Sequence, residues 1–164
     1  MTEPIVVGER VLLESGFLAA RTRFEALARG GILLRASEVA YGDGVAVLVK
    51  EAGPAAGLTR LAGAYLDDLT GTGDCVHTAL RWEAIAADGK LFTALDADLM
   101  LAPAGGKHTA IALAGTYRPQ PGPAGAGFGR AVLRCCAVVS VGSFLDHAAC
   151  ALAHPASAAG RAGL

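Results

Sequence analysis

Three stretches in the middle of the chain alternate apolar and polar residues with a period of two, and this pattern constrains the fold more than any other feature. They are CVHTALRWEAIA (75–86), LFTALDADLMLA (91–102) and HTAIALAGTYR (108–118), separated by ADGK and PAGGK. A period of two puts successive side chains on opposite faces of a strand, and short separators of this kind join neighbouring strands as hairpins. In the first stretch Val76, Thr78, Leu80, Trp82 and Ala84 share a face against His77, Arg81 and Glu83. In the second, Leu95, Ala97, Leu99 and Leu101 oppose Phe92, Asp96, Asp98 and Met100; in the third, Thr109, Ile111, Leu113 and Tyr117 oppose His108, Ala110, Ala112 and Thr116. A sheet with one apolar face needs a second layer to cover it.

The cover is written between Gly125 and Ala153. There Phe128, Ala131, Cys135, Val138, Gly142, Leu145, Ala149 and Leu152 recur at helical spacing with few polar residues between them, which predicts a long C-terminal helix buried against the sheet. Upstream, IVVGERVLLE (5–14) reads as a first strand. Ser15 can cap a helix carrying Phe17, Ala20, Phe24, Leu27 and Ala28 on one side, stopped by Gly30-Gly31. A second short helix is predicted over 32–42, ended by Gly42-Asp43-Gly44, and VAVLVKE (45–51) and LTRLAGAYLDDL (58–69) then read as two further strands of an antiparallel meander. Small residues, Ala97, Gly115, Ala131, Gly142 and Ala149, are expected to leave room between sheet and helix.

The length of 164 residues suits one domain, expected over 1–154, and the aperiodic residues 155–164 are expected to be a disordered tail. A hydrophobic share of 53% raises the question of a membrane span, but the longest strongly apolar run, Cys135 to Leu145, lies between Arg134 and Asp146 and falls short of the roughly 20 residues a span needs. The excess apolar content is therefore assigned to a core or a cavity. With 14 basic and 15 acidic side chains there is no general attraction to nucleic acid. MTEPIVVGER shows no basic segment leading into an apolar one, so the expected location is the cytoplasm.

The motifs that could carry chemistry are weak. Cys75, Cys135, Cys136 and Cys150 contain no CxxC, and His77, His108, His147 and His154 are scattered, so no metal site, disulfide or cofactor is expected and the thiols read as buried and free. GAGFG (125–129) misses the G-x-G-x-x-G spacing, follows Pro119, Pro121 and Pro123, and precedes no further strand; it reads as a loop that carries the chain into the helix. GGKHT (105–109) lacks the upstream glycine and the Ser or Thr of a phosphate-binding loop and reads as a hairpin turn. Asp96 and Asp98 share a strand face, but so do Arg81 and Glu83 on the neighbouring strand, and cross-strand pairing accounts for them. Trp82, the sole tryptophan, belongs on the inner face, as core or as cavity wall. Tyr117 and Arg118 stand at a strand end where they could meet the polar end of a ligand, and His77, His108 and His147 read as surface or rim residues.

The order strand, two short helices, meander, long helix, together with the Trp-bearing strand, "LDADL", "GTYRP" and the Pro/Gly-rich loop into the last helix, resembles the START-like, polyketide-cyclase/lipid-transport (SRPBCC) superfamily. Within it the likeness is to small uncharacterised bacterial members, in pattern over residues 75–153 and by element order alone before them. The resemblance implies an α+β helix-grip fold: a curved antiparallel sheet wrapped around the C-terminal helix, with an apolar cavity between them that binds or transports a small hydrophobic ligand such as a lipid. The cavity would be lined by Phe24, Leu80, Trp82, Leu95, Leu99, Ile111, Leu113, Tyr117, Arg118, Phe128, Val132, Cys135 and Val139. No catalytic signature accompanies the likeness, so a binding protein is expected before an enzyme. Two alternatives stay open: an aromatase/cyclase-type enzyme with Tyr117, Arg118 or a histidine as proton shuttle, and an interaction module without ligand, pairing with another protein or with itself as a homodimer.

Overall fold

The alternating stretches form strands where their pattern puts them. The computed structural model describes residues 3–53, 59–71, 73–119 and 129–153, and within these the chain runs β1 (Ile5–Leu13), α1 (Phe17–Arg29), α2 (Ile32–Ala52), β2 (Arg60–Leu66), β3 (Val76–Ile85), β4 (Leu91–Pro103), β5 (Thr109–Pro119) and α3 (Arg130–Ala153). The strands make one five-stranded antiparallel sheet in the order β1-β5-β4-β3-β2, so the first strand lies beside the last. The β3–β4 hairpin closes through Ala86 N–H to Lys90 O (2.9 Å) and Lys90 N–H to Asp88 Oδ1 (2.9 Å). The GGKHT segment is a hairpin turn, with Gly105 at φ +93° and Gly106 at φ +50°, backbone angles that favour glycine.

Val76, Thr78, Leu80, Trp82 and Ala84 are buried, and so are Leu95, Ala97, Leu99, Leu101, Ile111, Leu113 and Tyr117, which makes this face the inner one. Phe92 departs from the expected alternation and is buried. Ala84 pairs with Thr93 but Ile85 pairs with Leu91, so Phe92 is the extra residue of a bulge, and a bulge turns two successive side chains toward one side.

Two helices cover the inner face: α3 lies along β1 and β5, α2 lies on β2, and α2 and α3 pack against each other along their length. α2 corrects the sequence reading most. It spans 21 residues, runs straight through Gly42-Asp43-Gly44, and absorbs the stretch 45–51 expected to be a strand. Gly44 explains this. A Cβ at that position would collide with Ser140 Oγ and the Cys136 carbonyl of α3, so the glycine lets the two helices approach closely, offsetting the roughly 1 kcal/mol that glycine costs inside a helix. The cap of α1 also differs: Gly16 occupies the N-cap without a side-chain bond, and Ser15 instead offers its carbonyl to Thr109 Oγ1 at 2.7 Å.

α3 presents a different stripe to the sheet from the one read off its periodicity. Leu133, Cys136, Ala137, Ser140, Val141, Phe144, Leu145, Ala148, Ala151 and Leu152 are buried, whereas Ala131, Cys135, Val138 and Val139 are exposed and Gly142 and Ala149 are half-buried. Over its uncharged centre, between Arg134 and Asp146, the helix does not announce which side is covered. By length and composition α3 could cross a membrane, because a window of mean hydropathy 1.6 tolerates the flanking charges that a count of uninterrupted apolar residues does not; half of that window is buried against the rest of the fold.

Candidate functional site

The inner face carries one cross-strand row in which aromatic and small residues meet: Ala64 (β2), Trp82 (β3), Leu95 (β4), Tyr117 (β5) and Ile5 (β1) are successive partners across the sheet. Trp82 is 2% exposed and meets the Phe144 ring of α3 edge to face, with centroids 5.8 Å apart and planes at 77°. Its indole N–H, however, has no hydrogen-bond partner among the described residues. An unpaired buried N–H costs about 1–3 kcal/mol.

The other buried polar side chains around the core are provided for. Ser37 Oγ bonds to Leu33 O (3.0 Å) and Ser140 Oγ to Cys136 O (2.8 Å), each into its own helix. Thr78 Oγ1 donates to Asp67 O at 2.6 Å. Against that background the Trp82 N–H stands out as a donor aimed at nothing in the described protein.

Beside this row, at the end of the sheet where β4 begins and β5 finishes, a polar group is buried among Tyr41 of α2, Thr59, Thr93 of β4, Tyr117 of β5 and Cys136 of α3. Tyr41 Oη donates to Thr59 Oγ1 at 3.2 Å, and Tyr117 Oη lies 3.9 Å from Cys136 Sγ. Burial pushes the Tyr41 phenol up to about 12 against the pull of its bond to Thr59. Burial, then the proximity of Cys136 and Tyr41, pushes Tyr117 well above its ordinary value, and burial likewise raises the Cys136 thiol. All three are therefore protonated donors near neutrality, and none is poised as a base.

Among the described residues, open grooves reach the surface. One, of about 460 Å³, lies between α1 and the end of β2, with Ala28, Leu66 and Leu69 in its lining and Glu25, Arg29, Asp67 and Asp68 around them. Ala28, Leu66 and Leu69 also pack on the core cluster that contains Leu80 and Trp82, so this groove has an apolar floor continuous with the interior. Another, of about 540 Å³, crosses the outer sheet face over Ala79, Asp96, Asp98, Ala114 and Thr116. That face holds the ion ladder expected from the sequence: Arg81 pairs with Glu83 (3.0 Å) and Asp96 (3.8 Å), and Asp96 pairs also with Arg118.

Of the residues expected to line a cavity, Phe24, Leu80, Trp82, Leu95, Leu99, Ile111, Leu113 and Tyr117 are buried together in one core cluster, and Val132 packs on it half-buried. Three are elsewhere. Cys135 and Val139 lie on the exposed side of α3, because the helix buries a different stripe, and Arg118 points to the outer face, because its neighbour Tyr117 takes the inward position. Phe128 and the Pro/Gly-rich loop, His154 and the expected tail lie outside the described residues. His77, His108 and His147 are exposed. The cysteines are free, but only Cys136 is buried; Cys135 and Cys150 are exposed and Cys75 is intermediate, which corrects the expectation of four buried thiols. Sequence reasoning missed Tyr41 and Thr93 as interior polar groups, while Cys136 is the one thiol buried as expected. Tyr41 lay inside the helix predicted over 32–42, and its spacing of four from Ser37 and one from Ala40 was the available signal.

The described chain is thus an α+β protein in which a five-stranded antiparallel sheet packs under helices, the C-terminal one among them. No protein-family model matches the sequence, and no curated protein matches it. Among solved structures the chain is similar to the crystal structure of TTHA0849 from Thermus thermophilus, at 14% sequence identity and a TM-score of 0.43, over 90% of this chain and 97% of that one.

Proposed function

We propose that this protein binds a small hydrophobic molecule between the inner face of its sheet and the α2–α3 pair, in the manner of a helix-grip domain, and holds an acceptor atom of that molecule with the Trp82 indole N–H. The observation that carries the reading is that N–H: fully buried, without a partner among the described residues, and set in an apolar interior whose other described buried polar side chains are provided for. Small-molecule sites combine this kind of apolar lining with very few placed polar groups. Tyr41, Tyr117 and Cys136 add further protonated groups close by, which favours a neutral molecule with a carbonyl or ether oxygen over an ammonium ion. The groove between α1 and β2 supplies the route, through its floor of Ala28, Leu66 and Leu69. A cyclase-type enzyme on the same site has less support, since Arg118 and the three described histidines face outward and Tyr117 is held as a donor.

The sole tryptophan makes the test direct. Titration with prodan, a neutral naphthalene ketone, is expected to quench Trp82 emission by energy transfer while prodan emission shifts to the blue, with saturation at one equivalent. Absence of saturable transfer, for prodan and for the protein's own co-purifying small molecules sought by native mass spectrometry, would overturn the reading.

A further inference from the structure

α3 is covered on one side only, although it is apolar on both. Half of its most apolar window is left uncovered, and that side carries Ala131, Cys135, Val138 (42% exposed) and Val139 (39%), with the half-buried Gly142 and Ala149 at its margin. On the adjoining α2, Val39 is 49% exposed, among the exposed Arg35, Glu38 and Asp43. A helix hydrophobic all round is normally buried all round. The side chains here are also small: a Cβ built at Gly142 would meet nothing, so another backbone could approach this ridge closely.

The charges on this ridge say what covers it. Arg134 and Asp146 flank the apolar centre, both are exposed, and neither has an ion-pair partner among the described residues. They stand at equal distances on either side of residue 140. Arg130, the other cation of the helix, is already bound to the carbonyls of Glu3 and Pro4. If a second α3 is laid antiparallel across a two-fold axis near residue 140, Arg134 of each copy meets Asp146 of the other, twice, while Val138 of one sits over Gly142 of the other. A helix of 24 residues is roughly 36 Å long, and with α2 beside it the face is roughly 20 Å wide, which gives on the order of 700 Å² per copy, close to the roughly 800 Å² per partner of a standard stable interface.

We infer that the exposed face of α3, with Val39 of α2, is the contact surface of a symmetric homodimer in which the two α3 helices pack antiparallel and exchange Arg134–Asp146 ion pairs. This stands on residues other than those of the ligand site and does not depend on it.

Sedimentation equilibrium of the full chain over a wide concentration range tests it, alongside Val138→Glu, Arg134→Asp, Asp146→Arg and the double exchange R134D/D146R. The wild type is expected to be a dimer. V138E and each single charge reversal are expected to weaken association by about a hundredfold or more, since each places like or unpaired charges in the contact, with unchanged circular dichroism because all three positions are exposed. The double exchange is expected to restore the dimer. A wild-type monomer at every concentration, a dimer indifferent to these substitutions, or a monomer that instead binds neutral phosphatidylcholine vesicles through this face would overturn the inference.

Discussion

The two faces of the β3–β4–β5 sheet are made from the same strands and obey opposite rules. On the outer face every charge of the central ladder has a partner: Arg81 reaches Glu83 and Asp96, and Asp96 reaches Arg118. On the inner face, among the described residues, the charges are gone, the phenols and the thiol are held protonated by burial, and one strong donor is left over at Trp82. Solvent explains the contrast. Water lets an outer side chain be satisfied in many ways, so a missing partner there costs little, whereas inside a missing partner costs the full desolvation of the group. The leftover donor on the inner face is thus the informative one.

Substitutions on the inner side should break this contrast most severely. Trp82→Ala removes the ring that packs on Phe144 and should cost about 3–5 kcal/mol in a urea unfolding experiment. Gly44→Ala should cost about 1–3 kcal/mol in the same experiment, because the added Cβ pushes α2 off Ser140 and Cys136.

The buried phenols make a pH prediction with a definite sign. A phenol whose folded-state value is raised above its unfolded value of 10.0 stabilises the fold fully below that pH and ceases to do so as pH rises through the raised value. Stability should therefore be flat with respect to these groups up to about pH 10 and fall by roughly 1–3 kcal/mol between 10.0 and about 12 through Tyr41 alone, with Tyr117 adding to the loss. Tyr41→Phe should flatten part of that fall in alkaline unfolding curves. On the outer face the expected effect is smallest: Arg81→Ala, in a ladder whose members are a third to a half exposed, should change stability by less than about 1 kcal/mol.

The faces of β3, β4 and β5 were legible in the sequence because period two has only two outcomes and one of them was apolar in each of these three strands. Trp82, Leu95, Leu99, Ile111, Leu113 and Tyr117 could all be named as interior from that rule. The helices were less legible, for two physical reasons. Gly42-Asp43-Gly44 has the chemistry of a turn, and only the tertiary fact that Gly44 lies against α3 keeps it helical. Between Arg134 and Asp146 α3 carries no charge on any side, so its spacing there could not separate the buried Cys136 and Phe144 from the exposed Cys135 and Val139. The buried polar group was hidden for the same reason: Tyr41 and Cys136 come to Tyr117 only when α2 and α3 are in place.

The central claim is that the Trp82 N–H serves a bound molecule, and Trp82→Phe isolates it by keeping an aromatic ring while removing the donor. The measurement is the prodan affinity of wild type and Trp82→Phe, read from prodan's own emission, beside the urea stability of each. The account predicts a variant at least as stable as the wild type, because an unpaired donor has been removed, with affinity for the ketone about tenfold weaker or more. Equal affinity in the two proteins would contradict it.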